Sequence, residues 1–201
     1  MCSPKSYNVY VRYNSNMTPT IAIDSIIELR AANPNCAAAK IAAATRSRDQ
    51  LLPWLDWIKF YDAYETDDEK IQAMSDYQAS KVTEFGQGTN YTYDIFYDGE
   101  YAGSIEIMHI NNANKFCEIG YWLAVDFMRK GIMTKAVNVI TELAFEKLGM
   151  HCVIILAAAK NARSCAVAER CGFKLDATLR SRLLINGEYT DENVYSKLEE
   201  E

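Results

Sequence analysis

Residues 128–133, Met128-Arg129-Lys130-Gly131-Ile132-Met133, stand between two apolar stretches of different period. A strand-like run precedes them. A helical stripe of Ile132, Ala136, Val139, Ile140, Leu143 and Ala144 follows. A strand that feeds a helix through a short glycine-bearing turn makes an anion site, because the first helical turn has unpaired N–H groups and the positive end of the helix dipole. Gly131 lets a bulky anion reach the backbone, and Arg129 and Lys130 add two cations, so a phosphate or pyrophosphate fits. The plainer alternative is a strand-to-helix turn with two solvated basic residues. Neither G-x-G-x-x-G nor G-K-[ST] is present, so dinucleotide and Walker-type loops are excluded.

Thirty residues on, Asn161 is a good helix cap, with Ser164 in the first turn after it. The Ser164 hydroxyl either donates to a leaving group or bonds its own helix end. Glu106 and Glu118 lie on neighbouring strand-like runs, as candidate bases or as rim carboxylates. His109 ends a strand and reads as a structural or surface residue. With His109 and His151 the only histidines, and no C-x-x-C among six cysteines, no metal site is expected. The cysteines sit mostly in apolar runs and read as small core residues of a reducing compartment.

Positioning these groups requires the following elements. Residues 1–20 read as a polar extension with a short strand at Asn8–Tyr13, and 21–201 as one domain. Ile26–Arg30 is a strand, and the alanine-rich run after Asn33-Pro34-Asn35 is a helix. Leu51, Leu52, Trp54, Leu55 and Trp57 have helical spacing. Thr66-Asp67-Asp68-Glu69 is a capping box opening a helix with Ile71, Met74, Val82 and Phe85 on its apolar side. Tyr91–Tyr97, Tyr101–Ile110 and Phe116–Val125 form an antiparallel meander, with Asp98-Gly99 as a hairpin turn. Cys152–Ala159 reads as a strand buried on both faces. A helix from Asn161 to Gly172 follows, then strands Phe173–Ile185 and Glu188–Leu198 around Asn186-Gly187.

The chain has 201 residues, 49% of them hydrophobic, and a net charge of −6. That is the balance of one globular domain, and it argues against a partner bound by neutralising phosphates, so no nucleic acid is expected. The longest apolar run falls far short of the ~18 residues needed to span a bilayer, so no membrane partner is expected. The first residues lack a signal-like apolar stretch, and a cytoplasmic location is expected.

Seven segments in order, IELRAA, DQLLPWLDW, GSIEI, CEIGYWL, KGIMTKA, NARSCAVAERCGF and LINGEYTDENVYSKL, make the chain from about Ile27 to Leu198 resemble the GNAT superfamily of acetyl-CoA-dependent N-acetyltransferases, in its RimJ/RimL-type branch. The resemblance implies an α/β (mixed α+β) GNAT fold. Its central mixed sheet is mostly antiparallel and splays between the fourth and fifth core strands, with helices on both faces. The splay should lie between Glu118–Val125 and Val153–Ala159.

The resemblance also implies acetyl-CoA as acetyl donor, with no metal. Leu123 and Val125, the turn of Met128, Arg129, Lys130, Gly131, Ile132 and Met133, and Asn161 and Ser164 would hold it. Ser164 and Glu118 would be catalytic; Trp54, Trp57 and Tyr121 would bind the acceptor. The implied acceptor is a primary amine, best a protein N-terminal α-amine, attacked in a ternary complex by a monomer or homodimer. Alternatives are a small-molecule amine acetyltransferase acting on an antibiotic, polyamine or peptide, and a CoA-binding module with little catalysis. Three departures stand out. Met128 replaces the family's Gln or Arg, Arg129 replaces a usual glycine, and Leu183 occupies the place where some RimL-type enzymes carry an acidic base. The tyrosine acid of other members is Ala168 here.

Overall fold

The structure, a computed structural model, describes residues 17–201. The expected strand Asn8–Tyr13 lies outside them. Met17 is buried and Thr20 already belongs to a strand, β1 (Thr20–Ala22). β1 hairpins onto β2 (Ile27–Ala31). The meander is present as β3 (Tyr91–Tyr97), β4 (Glu100–Asn111) and β5 (Phe116–Leu123). β6 (Cys152–Ala158), β7 (Lys174–Ile185) and β8 (Glu188–Leu198) complete one eight-stranded sheet in the order β1-β2-β3-β4-β5-β6-β8-β7. Every neighbouring pair is antiparallel except β5 and β6.

The alanine-rich run forms α1 (Ala37–Arg46). The stretch after it does not form one helix. Pro53 has no N–H to donate, so the chain breaks into α2 (Arg48–Leu51), a turn, and α3 (Trp57–Phe60). The capping box opens α4 (Asp67–Gln87): Thr66 Oγ1 accepts from the Glu69 amide, and Glu69 Oε2 accepts from the Thr66 amide at 3.0 Å. These bonds hold the Glu69 carboxyl below its usual range. On the other face of the sheet lie α5 (Ile132–Leu148) and α6 (Ala162–Arg170).

Two polar contacts inside the core fix these layers. Lys40 of α1, Gln78 of α4 and Asp94 of β3 are all buried. Gln78 Nε2 donates to Asp94 Oδ2 at 3.0 Å, and Lys40 Nζ stands 3.7 Å from Asp94 Oδ1 and 3.3 Å from Gln78 Oε1. Burial raises the Asp94 carboxyl's pKa, and Lys40 opposes that shift. The second contact is Ser47, buried where α1 ends. Its hydroxyl donates to the Ala43 carbonyl (2.7 Å) and accepts from the Val125 amide (2.9 Å). It thereby ties the first helix to the end of β5.

β6 departs from the sequence expectation. Val153, Ile155 and Ala157 are buried, while Ile154 and Leu156 are only half-buried. Packing is therefore complete on one face of β6 and incomplete on the other. Cys36, Cys117, Cys165 and Cys171 are buried, and burial pushes the Cys117 thiol up to about 12.

Replacing Ser47 with Ala leaves the half-buried Val125 N–H without its acceptor. The expected loss is about 1–3 kcal/mol, the cost of an orphaned buried donor. Urea unfolding of Ser47→Ala measures it, and an unchanged midpoint would mean that water takes the hydroxyl's place.

Candidate active site

β5 and β6 pair over only three rungs, Phe116↔Cys152, Cys117↔Val153 and Glu118↔Ile154. Beyond Glu118, β5 stays on β4 as far as Gly103↔Leu123, and β6 stays on β8 as far as Ala158↔Glu192. The two strands part, and a gap opens where their own ladder would be. The Ala124 amide donates to the Ala102 carbonyl of β4 (2.8 Å). By the alternation of an antiparallel ladder, the N–H and C=O of Tyr121 and Leu123 point the other way, into the gap. Gly103 lets β4 and β5 come this close: a Cβ there would meet the Trp122 carbonyl oxygen at 2.3 Å.

The chain leaves β5 through a 3-10 turn, Val125–Phe127, and reaches α5 through two residues with positive φ, Arg129 (+63°) and Gly131 (+73°). The left-handed region favours glycine, and Arg129 takes it without being one. Gly131 caps α5 with no side-chain bond. Among the described residues nothing accepts from the amides of residues 129–134; the first bond of the helix is Lys135 N–H to Gly131 O at 3.1 Å. A concave run of free donors at a helix N-terminus is a nest for an anion. Among the described residues, apart from Gly131 and its two chain neighbours, no atom lies within 4 Å of where a Gly131 Cβ would stand, so the space there is open.

The cations do not sit as the sequence suggests. Lys130 folds back over the rings of Tyr97 (4.8 Å) and Phe127 (5.1 Å), while Arg129 is exposed. A third cation arrives from another element. Arg163 of α6 places Nη1 3.4 Å from Met128 Sδ, beside the turn. Only the tertiary fold brings residue 163 to residue 128, although an arginine in the first turn of the helix after Asn161 was a visible hint. Ile132 and Met133 are buried through their side chains and offer only their amides. Val125 is already engaged: its amide goes to Ser47 Oγ and its carbonyl accepts from the Met128 amide at 3.3 Å. Of the expected pair Leu123 and Val125, Leu123 alone keeps its backbone groups turned to the gap.

Across the gap, Asn161 Oδ1 accepts from the Ser164 amide (3.2 Å) and caps α6. Ser164 is therefore not the cap. Its Oγ lies 3.2 Å from the Tyr121 hydroxyl, which also reaches the Ser164 carbonyl at 3.1 Å. Burial raises Tyr121 to about 12, so it stays a protonated donor at neutral pH. The structure thus brings Tyr121, Asn161 and Ser164 together on the α5 and α6 side of the sheet.

The opposite face carries the other candidates. Trp57 packs edge-on against Trp122 of β5, with ring centroids 5.6 Å apart, and Trp122 leans on Tyr101. Trp54 is half-buried in the turn after α2 and makes no ring contact among the described residues. A cleft of about 200 Å³ lies between α1 and the 57–62 segment, with Trp57 in its wall and Arg48, Asp62 and Lys70 at its polar rim. It is away from the parted strands. Glu118 sits at the last rung of the β5–β6 ladder, 2.9 Å from His109 Nδ1. That histidine has φ +51° at a bulge in β4. Glu106 belongs elsewhere: it accepts from Thr92 Oγ1 (2.8 Å) and stands 3.9 Å from Lys81 Nζ of α4. Leu183 pairs with Thr190 and supplies no carboxylate.

Comparison with known proteins gives a consistent set. The family model described as an acetyltransferase (GNAT) domain matches residues 27–174. The ribosomal-protein-serine acetyltransferase of Escherichia coli (strain K12) is 26% identical over 182 residues, 90% of this chain and 98% of that protein. YdaF of Bacillus subtilis (strain 168), whose name assigns it provisionally to ribosomal N-acetylation, is 40% identical over 107 residues. That match spans 53% of this chain and 58% of YdaF. The solved structure of RimL, a ribosomal L7/L12 alpha-N-protein acetyltransferase in complex with coenzyme A, superposes with a TM-score of 0.81 at 26% identity. It covers 89% of this chain and 97% of its own. Among the described residues no helix is long and apolar enough to cross a membrane.

The local bonding separates Asn161 from Ser164. Asn161→Ala removes the α6 cap and is expected to cost about 0.5–2 kcal/mol. Ser164→Ala leaves the cap and the Tyr121-to-carbonyl bond in place, so its melting temperature should stay near wild type. Thermal unfolding of both variants checks this; equal losses would return Ser164 to a capping role.

Proposed function

We propose that this chain, which belongs to the GNAT acetyltransferase family, carries the acetyl group of acetyl-CoA to the N-terminal α-amine of a protein. The observation that carries this reading is the gap between β5 and β6 opening beside the free amides of residues 129–134. The donor set fits acetyl-CoA. The nest suits a pyrophosphate, with Arg129 and Arg163 as the nearby cations. The strand edge at Tyr121 and Leu123 suits an amide-bearing arm that adds like a strand. When bound, acetyl-CoA supplies a thioester carbonyl to the acceptor.

The protein's groups then have distinct tasks. The Leu123 N–H points into the gap, where it would polarise a carbonyl, a role best filled by preorganised backbone donors. Ser164 Oγ, held by Tyr121, would donate to a departing sulfur. The amine enters from the opposite face, where Trp57, Trp122 and Glu118 stand. Glu118 Oε2 is already engaged by His109 Nδ1. We read residues 21–201 as one acetyltransferase domain acting in the cytoplasm, with Met17 buried in its core and Thr20 in its first strand.

The acceptor class follows from an energy difference. An α-amino group has a pKa near 7.7–8.0 and a lysine side chain near 10.4, so freeing each at pH 7 costs about 1–1.4 and about 4.6 kcal/mol. A protein α-amine needs little help, and a ribosomal protein is the kind of acceptor named for the relatives.

Two measurements test this. Gly131→Val places a branched side chain over the nest and strains a positive φ. Acetyl-CoA affinity should fall by about 2–3 kcal/mol, the scale of lost charge-assisted hydrogen bonds. Calorimetric titration reads it, and unchanged affinity would move the pyrophosphate elsewhere. In the second, a peptide with a free N-terminus should be acetylated faster at pH 7 than an N-blocked copy containing lysine. Preference for the blocked peptide would overturn the α-amine reading.

A further inference from the structure

Leu183 leaves the strand after α6 without a carboxylate, but the neighbouring strand has one in reach of the same place. Leu183 of β7 pairs with Thr190 of β8, and Glu192 is two residues further along β8, on the same face as Thr190. Asn193 and Tyr195 identify that face. They turn toward α6, where Asn193 Nδ2 lies 3.7 Å from Cys165 Sγ and the Tyr195 hydroxyl 3.3 Å from Glu169 Oε1. Glu192 therefore points to the opposite face, the one that also carries Glu118. It pairs with Ala158, the last residue of β6, at the wide end of the gap.

Glu192 is buried, with only 5% of its surface exposed. Such a residue is normally satisfied by hydrogen bonds, and this one is not. Arg182 Nε approaches Oε2 to 3.2 Å, yet among the described residues Oε2 has no hydrogen-bond partner. The cation supplies charge without the aligned bond. Its placement comes from a bulge: the register jumps between Leu179 and Leu183, and Ser181 takes φ +52° with its amide bonded to Asp191 Oδ1 (2.9 Å). Bulges re-aim side chains next to sites, and this one aims Arg182 at Glu192.

From this juxtaposition, an unpartnered buried carboxylate oxygen at the wide end of the gap with an arginine aimed at it, we infer that Glu192 is the general base that takes the proton of the acceptor ammonium. The inference rests on the acetyl-transfer reading above. Glu192 carboxylate takes one proton from R–NH3+, leaving R–NH2. The nitrogen lone pair forms the N–C bond to the acetyl carbon as the C–S bond breaks, with the electron pair leaving on sulfur. The second nitrogen proton goes to the thiolate, through Ser164 Oγ. Glu192 then returns its own proton to solvent through the cleft.

The surroundings support that role. Burial raises the Glu192 pKa, the Arg182 guanidinium lowers it, and the charge of Glu118, itself next to His109, raises it. A raised carboxyl is a better match to an amine than an ordinary one.

The test uses the full chain, acetyl-CoA and a peptide with a free N-terminal amine, with kcat/KM measured from pH 6 to 9.5. Glu192→Gln should lose roughly six- to tenfold at pH 7, where an amine of pKa 7.7–8.0 is mostly protonated, and less than about twofold at pH 9, where it is free. Acetyl-CoA affinity should not change. Arg182→Met removes the cation, so the acid limb of the wild-type profile should move to higher pH. A loss equal at all pH values, or no loss and no moved limb, overturns Glu192 as the base while leaving acetyl transfer intact. No turnover by wild-type protein with acetyl-CoA bound overturns the proposed function itself, and the inference with it.

Discussion

The backbone donors and acceptors along β5 must be paired or reach water, and past Glu118 one side of that strand has no partner strand. Unpaired edge groups are costly when buried and are a hazard when exposed. Here the parting is held open from both sides. β5 is fixed to β4 by a close approach that only Gly103 allows, and its end is fixed to α1 through Ser47 and the Val125 amide. β6 is fixed to β8 along its whole length. A strand that cannot close on its neighbour keeps its N–H and C=O groups available, and the chemistry proposed for this protein uses them.

The donors at the start of α5 obey the same rule. A helix always begins with unpaired amides, but most are covered by a side-chain cap. Asn161 caps α6 in the ordinary way, whereas Gly131 leaves α5 bare. The contrast within one molecule separates a helix start that is closed structurally from one that is open to a ligand. The basic residues around it are less committed. Lys130 lies on aromatic rings, Arg129 is exposed, and Arg163 comes in from α6. In the proposed anion site, backbone geometry therefore sets the donors and the cations adjust them.

Charge inside the molecule is used in two ways. Lys40, Gln78 and Asp94 are buried together and join two helices to the sheet. Removing one partner of such a pair is far more harmful than its net contribution suggests. Glu192 and Arg182 are close in charge but not aligned as a hydrogen bond. Among the described residues each arrangement leaves one carboxylate oxygen without a hydrogen bond, Asp94 Oδ1 and Glu192 Oε2; the first lies between two helices and the sheet, the second beside the gap.

Local chemistry made much of this readable from the residues alone. The capping box at Thr66, the turns at Asp98-Gly99 and Asn186-Gly187, the glycine before α5 and the Asn161 cap each act over a few residues, so their spacing is sufficient. The resemblance of seven ordered segments carried the family, the sheet and the place of the splay. The sequence was less informative where the outcome depends on what packs against a segment. Cys152–Ala158 is a continuous apolar run, but Ile154 and Leu156 on one of its faces are only half-buried. Pro53 broke a stretch whose apolar spacing alone reads as one helix. The partners of Ser47, Arg163 and Glu192 are 78, 35 and 10 residues away in the chain. No local pattern encodes such contacts. They exist because the sheet order and one bulge bring distant segments to a common edge, and only the folded chain decides that.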